Sequence, residues 1–251
     1  MFNFFANSSD KIADGYRICG SDYNHIKNVL RMSIGDTILV SCEGKSDLCE
    51  IQAFENDCVN VKVIEKNANN TELPIEIILF QALPKSDKME LIIQKTVELG
   101  ISKIIPVEMK HCVVKLDEKK KSSKVTRWQA ISESAAKQSK RNIIPEIGNV
   151  ISFSHMLSEA QNLDLFLVPY ENKDGMSATR KALENIKSGM KIGILIGPEG
   201  GFDVNEIEKA TKVGGIAVSL GKRILRTETA AITAASLIML YAEMNLGGEV
   251  V

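Results

Sequence analysis

Two short segments near the C-terminus carry residue types able to hold a small ligand. Gly197-Pro198-Glu199-Gly200-Gly201-Phe202 follows the apolar run Ile192-Gly193-Ile194-Leu195-Ile196. That run has the length and composition of a buried strand. Gly197-Pro198 interrupts it, and Gly200-Gly201 frees the backbone for positive φ and for close approach of another group. Asp203 with Glu206 three residues on reads as a capping box that opens a helix over 204–212. The loop is either a tight turn that merely needs glycine or a cradle for a ligand. At the carboxyl edge of an α/β sheet, such crossings are where small ligands bind. The spacing is not G-x-G-x-x-G, and no Lys-Ser or Lys-Thr follows the glycines. A dinucleotide fingerprint and a phosphate-binding loop are therefore both absent, and phosphate is not the favoured ligand.

The second segment begins at another short apolar strand, Ile216-Ala217-Val218-Ser219-Leu220, closed by Gly221. A hinge with Lys222, Arg223 and Arg226 follows. Thr227 is the expected N-cap of an apolar helix over 228–244. That helix is rich in small residues, so another backbone can pack closely on it. Its simplest role is as a core helix, and its apolar run reads as shorter than the roughly 20 residues a bilayer span needs.

These loops need a sheet to position them. From residue 73 the pattern alternates: strand Ile75–Ala82, helix Lys88–Leu99, strand Ile104–Val107, helix 125–139 around Trp128, strand Leu165–Val168, helix 177–187, then the two motif units. Alternation of this kind predicts an α/β domain with a parallel sheet. Residues 1–66 differ, with strand-like runs at Tyr16–Ile18, Thr37–Val40, Cys49–Ile51 and Val59–Ile64 and one helix near 22–32. They read as a small β-barrel. Lys66–Thr71 is a polar linker and the expected boundary, giving domains 1–70 and 71–251.

Composition bounds the function classes. Of 251 residues, 44% are hydrophobic and 25% charged, as in globular proteins. No signal-peptide pattern opens the sequence, so a cytoplasmic location is the default expectation. Five cysteines (Cys19, Cys42, Cys49, Cys58, Cys112) without a C-x-x-C spacing read as free thiols, and three scattered histidines predict no metal site. The net charge of −1 is unevenly spread: residues 1–70 hold 7 Lys/Arg against 10 Asp/Glu, and residues 81–145 hold 14 against 7. A basic middle suits a polyanionic partner, although the stretch around Lys119-Lys120-Lys121 reads equally as a solvated loop.

The two loops resemble the cofactor-binding motifs of the SPOUT superfamily of trefoil-knotted, S-adenosylmethionine-dependent RNA methyltransferases. The chain as a whole is similar to the 16S ribosomal RNA (uracil-N3) methyltransferase family. Further stretches carry this likeness: 25–36 (His-Ile-Lys-Asn-Val-Leu-Arg-Met-Ser-Ile-Gly-Asp), 81–100 (from Gln81-Ala82-Leu83-Pro84-Lys85 to Gly100), and 127–146 around Trp128. The resemblance implies a PUA-like RNA-binding domain ahead of a knotted methyltransferase domain, a homodimer, no metal, and 16S rRNA within the small ribosomal subunit as substrate. Same-fold enzymes acting on ribose 2′-OH or on transfer RNA, and a non-catalytic RNA-binding protein, are the alternatives.

Carried onto this sequence, the resemblance implies a cofactor pocket made of Leu167, Val168, Pro169, Ile196, Gly197, Pro198, Glu199, Gly200, Gly201, Leu220, Gly221, Ile224, Leu225, Arg226, Thr229 and Ala230. Arg226 is the candidate to stabilise charge developing on the base, with a phosphate or carboxylate clamp as the alternative, and Glu199 is a second catalytic candidate that could hold substrate or orient a loop. Glu228 reads as a first-turn acid of the last helix. Candidate RNA contacts are Arg17, Arg31, Lys85, Lys88, Arg127, Lys137, Lys140 and Arg141, with Lys137, Lys140 and Arg141 expected on one face. Family members commonly carry an early arginine. Here no basic residue precedes Lys11, and Arg17 or Arg31 is the expected substitute. Phe4 and Phe5 read as a buried first strand.

Overall fold

The computed structural model describes residues 1–170 and 175–247. The chain divides into two compact units: Met1–Glu72 with Ala136–Ile144, and Leu73–Ala135 with Pro145–Val251.

The first unit holds β1 (Asn3–Phe5), β2 (Lys11–Ile12), β3 (Gly15–Cys19), the short α1 (Ser21–Asn24, continued by a π turn over His25–Val29), β4 (Thr37–Cys42), β5 (Lys45–Glu55) and β6 (Cys58–Asn69). Its sheet runs β1-β4-β5-β6-β3-β2, with β1 parallel to β4 and the other pairs antiparallel. In strand pairing the expected barrel is thus a six-stranded sheet with β1 and β2 at its ends. The inward residues of each strand alternate, as a half-buried sheet requires, and gather Phe4, Tyr16, Ile18, Ile38, Val40, Cys49, Ile51, Val59 and Val61 with Ile26 into one core. Phe4 is 1% exposed, so the early aromatic run is a core strand. The polar stretch 66–71 is not a bare linker, because β6 continues through it to Asn69.

Cys19 and Cys58 correct the expectation of five free thiols. They face each other across β3 and β6 and form a disulfide, because the antiparallel register sets them opposite one another. Cys42, Cys49 and Cys112 are free and buried. Burial raises each thiol, that of Cys49 to about 12, so none is a ready nucleophile.

Residues 136–144, the end of a helix and its exit, belong to this first unit. Arg141 is 3% exposed. Its Nε lies 3.2 Å from both oxygens of Glu72, and its Nη2 pairs with Glu72 Oε2. Glu72 Oε1 also accepts from the Asn142 amide at 2.7 Å. The Arg141 carbonyl accepts from Asn3 Nδ2 at 2.9 Å and Ser41 Oγ at 3.3 Å.

The second unit alternates as expected: β7 (Glu76–Ala82), α2 (Lys88–Glu98), β8 (Lys103–Glu108), α3 (Glu118–Gln138), β9 (Glu146–Ile147), β10 (Ile151–Ser152), α4 (Phe153–Ala160), β11 (Leu165–Pro169), α5 (Met176–Glu184), β12 (Lys191–Ile196), α6 (Val204–Lys212), β13 (Gly215–Val218) and α7 (Thr227–Leu246). The sheet is ordered β10-β8-β7-β12-β11-β13, with β9 beside β8, and every pair is parallel. Strands buried on both sides read as continuous apolar runs, and Ile77, Leu79, Ile104, Ile192, Ile194 and Leu195 are fully buried.

Several elements differ from the sequence reading. α3 begins seven residues before 125, at Glu118, because the Asp117 carboxylate accepts from the Lys120 amide and starts the helix there. The lysine run is therefore helical. α4 and the two-residue strands were not anticipated, since so short a segment carries no periodic signal. α7 is 20 residues, long and apolar enough by length and composition to cross a membrane. It is tied into the sheet at its N-terminus, as described next.

Candidate active site

In a parallel sheet every strand delivers its following loop to the same edge. β7, β12, β11 and β13 are successive neighbours, so the loops after Ala82, Ile196, Pro169 and Val218 converge there. The first motif loop forms as its residues dictate. Gly201, at φ 71°, closes a turn by donating its amide to the Pro198 carbonyl. Asp203 caps α6 and forms the expected capping box with Glu206. The same Glu206 accepts from the Lys110 amide at 2.9 Å, and Lys110 Nζ pairs with Asp203, so the segment after β8 is fastened to the loop.

That fastening changes the role of two glycines. A Cβ on Gly197 would lie 3.0 Å from the Phe202 ring, and one on Gly200 would lie 2.9 Å from His111 Cβ and 3.2 Å from its carbonyl oxygen. At both positions the space a side chain would take is filled by the chain itself, so glycine is required there by packing. Gly200→Ala is expected to push the 109–112 segment away and to cost about 1–3 kcal/mol as overpacking, seen as a lower thermal unfolding midpoint.

The start of α7 is held from below. Thr227, expected as the N-cap, is the first helical residue instead. Arg226 takes the cap position with an extended backbone and no side-chain cap. The Thr227 hydroxyl is used otherwise: it donates to the Gly197 carbonyl at 2.8 Å and accepts from Gln81 Nε2 at 3.0 Å. Gln81 comes from the end of β7, 146 positions away; it opens the 81–100 stretch that carries the family likeness, but nothing in the sequence gave it this partner. Ser219 and Thr179 shape the second loop in the same hidden way. The Thr179 hydroxyl donates to the Ser219 carbonyl at 2.8 Å and accepts from its amide at 3.0 Å, and Ser219 Oγ accepts from the Gly221 amide at 3.2 Å.

Beside this loop lies a cavity of about 520 Å³, lined by Pro169, Tyr170, Gly175, Met176, Ser219 to Leu225 and Ala230. That volume is within the roughly 300–1,000 Å³ of small-molecule sites. Of the anticipated cofactor residues, Pro169, Leu220, Gly221, Ile224, Leu225 and Ala230 line it. Gly221, at φ 112° with nothing within 4 Å of a built Cβ, leaves bare backbone on its wall. Leu167 and Val168 are buried in the strand beneath. Ile196, Gly197, Pro198, Glu199, Gly200, Gly201, Arg226 and Thr229 are not on the cavity wall. Tyr170 and Met176, which line it and are 40% and 49% exposed, were not foreseen.

Glu199 ties the loop after β12 to the segment that follows β7. Its Oε1 accepts from the Lys85 amide and from Lys88 Nζ, each at 3.0 Å. Burial alone would raise its carboxyl. The hydrogen bonds from its own amide, the Lys85 amide and Lys88 outweigh burial and hold it below the usual range. Glu199 is therefore ionised at neutral pH. Glu228 shares Lys88, with Oε2 at 3.3 Å. Arg226 is exposed and makes no ion pair among the described residues.

The anticipated RNA contacts fall into two groups. Arg17, Arg31, Lys85 and Lys140 are exposed, and Arg127 is 66% exposed while pairing with Glu90. Lys137 pairs with Asp22 at 2.8 Å. Arg141 does not share an outward face with Lys137 and Lys140: it is buried on Glu72 within the first unit, where no phosphate can reach its guanidinium. Among the described residues no group of three or more His, Cys, Asp or Glu is gathered as metal ligands.

An all-parallel sheet whose carboxyl-edge loops enclose a ligand-sized cavity, with an unpaired arginine at the start of the adjoining helix, defines a cofactor-binding enzyme domain of the α/β class. The family model for the RNA methyltransferase domain matches residues 71–239, and that for the RNA methyltransferase PUA domain matches residues 18–62. The ribosomal RNA small subunit methyltransferase E of Bacillus subtilis is 41% identical over 94% of this chain and 94% of its own length. That of Mesomycoplasma hyopneumoniae is 34% identical over 92% and 96%. The crystal structure of the Neisseria gonorrhoeae ribosomal RNA small subunit methyltransferase E, bound to S-adenosylmethionine, superposes with a TM-score of 0.79 at 28% identity, covering 96% of this chain and 97% of that one. The chain belongs to the ribosomal RNA small subunit methyltransferase E family.

Proposed function

We propose that this chain transfers a methyl group from S-adenosylmethionine to N3 of a uridine in 16S rRNA, within the small ribosomal subunit and hence in the cytoplasm. The observation that carries this reading is the cavity beside the second motif loop, with Arg226 at the start of α7 next to it. The residues fit the cofactor. Bare backbone at Gly221 suits hydrogen bonding to a polar ligand edge, and Leu220, Ile224 and Leu225 supply apolar wall. When bound, S-adenosylmethionine supplies an electrophilic methyl group.

The chain's own residues do the remainder. N3 of uracil carries a weakly acidic proton, and its loss spreads negative charge onto O2 and O4. The Arg226 guanidinium stabilises that charge by donating to a carbonyl oxygen. Glu199, ionised and fastened to Lys85 and Lys88, keeps the first loop in place, so positioning supplies much of the rate. N3 lies on the pairing edge, so the target uracil is unpaired or flipped out, at a cost of a few kcal/mol. Arg17, Arg31, Lys85, Arg127 and Lys140 are the exposed cations proposed to meet phosphate. The first unit is proposed as the PUA-like RNA-binding domain and the second as the trefoil-knotted methyltransferase domain.

A homodimer is part of the proposal. α7 turns Ala231, Ala234, Ala235, Ile238 and Ala242 inward, while its large apolar residues Leu240 and Met244 are 49% and 74% exposed. A second copy would cover that face. Leu240→Lys with Met244→Lys is expected to give a monomer by sedimentation where the parent is a dimer.

The decisive experiment is methyl transfer from labelled S-adenosylmethionine to small ribosomal subunits, free 16S rRNA and transfer RNA, with the modified nucleoside identified by mass spectrometry. 3-Methyluridine confined to 16S-containing acceptors is expected. Label in a 2′-O-methyl nucleoside or in transfer RNA would overturn the assignment, and cofactor binding without transfer to any acceptor would favour a binding-only protein.

A further inference from the structure

Lys88 is placed oddly for a residue expected to meet phosphate. It is the first residue of α2, where the helix macrodipole disfavours a cation. Its Nζ lies 3.0 Å from Glu199 Oε1 and 3.3 Å from Glu228 Oε2, with the three side chains 25%, 23% and 15% exposed. The two carboxylates belong to different motif segments, Glu199 to the loop after β12 and Glu228 to the first turn of α7. Glu228 Oε2 is buried and receives no aligned hydrogen bond, so its charge is balanced chiefly by the Lys88 ammonium. Two partly buried carboxylates facing one ammonium depend on it: without the cation they repel and seek another. Arg226 is two residues from Glu228 and has no ion-pair partner among the described residues.

We infer that Lys88 is a positioning residue: the shared counter-ion of Glu199 and Glu228, which holds the two motif segments together and keeps Arg226 from being drawn into a carboxylate pair. The inference deepens the methyltransferase reading and rests on it for the role of Arg226. It also removes Lys88 from the RNA-contact surface and leaves Lys85, whose side chain is exposed, as the contact in that loop.

The test compares Lys88→Gln, Lys88→Arg, Lys85→Gln and the double variant Lys88→Gln/Glu228→Gln. Single-turnover transfer is measured at saturating RNA, and RNA affinity is measured against salt. Lys88→Gln is expected to lower the single-turnover rate by up to about 100-fold, as a small misplacement of reacting groups does, with RNA affinity and its salt dependence unchanged. Lys88→Arg should restore most of the rate. The double variant should be faster than Lys88→Gln alone, since it removes the surplus charge; a merely structural role predicts additive or worse loss. Lys85→Gln should instead lower the salt slope of RNA binding by roughly 0.7, the loss of one phosphate contact on a single strand. A Lys88→Gln variant with lowered salt slope and unchanged rate at saturation would overturn the inference and make Lys88 a phosphate contact.

A readout without activity separates this from failure of the methyltransferase reading. In ¹³C-carboxyl NMR titrations, Lys88→Gln should raise the apparent pKa of Glu199, which the Lys88 ammonium helps to hold low. If it stays where it is in the parent, Lys88 is not its counter-ion, whatever reaction the enzyme performs.

Discussion

Replacing Arg226 with methionine is expected to slow methyl transfer by about 10²–10³-fold, the usual loss when one donor to a developing oxyanion is removed. The variant keeps the length and apolar stem of the side chain. Arg226 is absent from the cavity wall, and its backbone, which caps α7 by accepting from the Ala230 amide at 2.8 Å, is untouched. Cofactor affinity, measured by calorimetry, should therefore stay near that of the parent. The rate at saturating RNA should fall, because the lost interaction is made with charge present only as the uracil proton departs. Parallel loss of cofactor affinity would instead make Arg226 a clamp on the cofactor carboxylate. Loss of RNA affinity with an intact saturated rate would make it a phosphate contact.

Arg141→Met is expected to destabilise the protein by about 3–5 kcal/mol, the cost of breaking a buried ion pair by removing one partner. Glu72 is left with the Asn142 and Ile143 amides, at 2.7 and 3.4 Å, but no guanidinium. Segment 136–144 then loses one of the side chains that fasten it to the first unit, although Lys137 keeps Asp22 and the Arg141 carbonyl keeps its bonds to Asn3 and Ser41. Denaturant unfolding should show a lower midpoint. Below that midpoint the salt slope of RNA binding should match the parent. A variant of parental stability with a salt slope lowered by roughly 0.7 would mean the guanidinium reaches phosphate after all.

Much of the site was legible because its signals are local. The capping box at Asp203 and Glu206, the strand ending at Ile196 and the positive φ of Gly201 are each decided by a few neighbouring residues, whereas Gly200 does not take the positive φ its type would allow. What failed was the assignment of partners. Arg141 and Lys137 look alike in sequence to Lys140, yet the first is buried on Glu72 and the second is paired with Asp22, 115 positions earlier. The lysine run at 119–121 looked like a loop because its polar composition carries no apolar stripe. A helix continued from a buried C-terminal half needs none in its first turns.

By itself the sequence determined the parallel α/β unit, the preceding β unit and the two glycine loops, since apolar periodicity, caps and turn residues act over distances of a few residues. Only the tertiary structure decided what those loops enclose. Phe202 and His111 fill the clefts at Gly197 and Gly200, Gln81 and Thr227 seat the start of α7, and Lys88 binds Glu199 and Glu228. Those choices rest on burial and charge compensation between residues up to 146 positions apart. A side chain's type states which partners it can accept, and the fold alone states which one it meets.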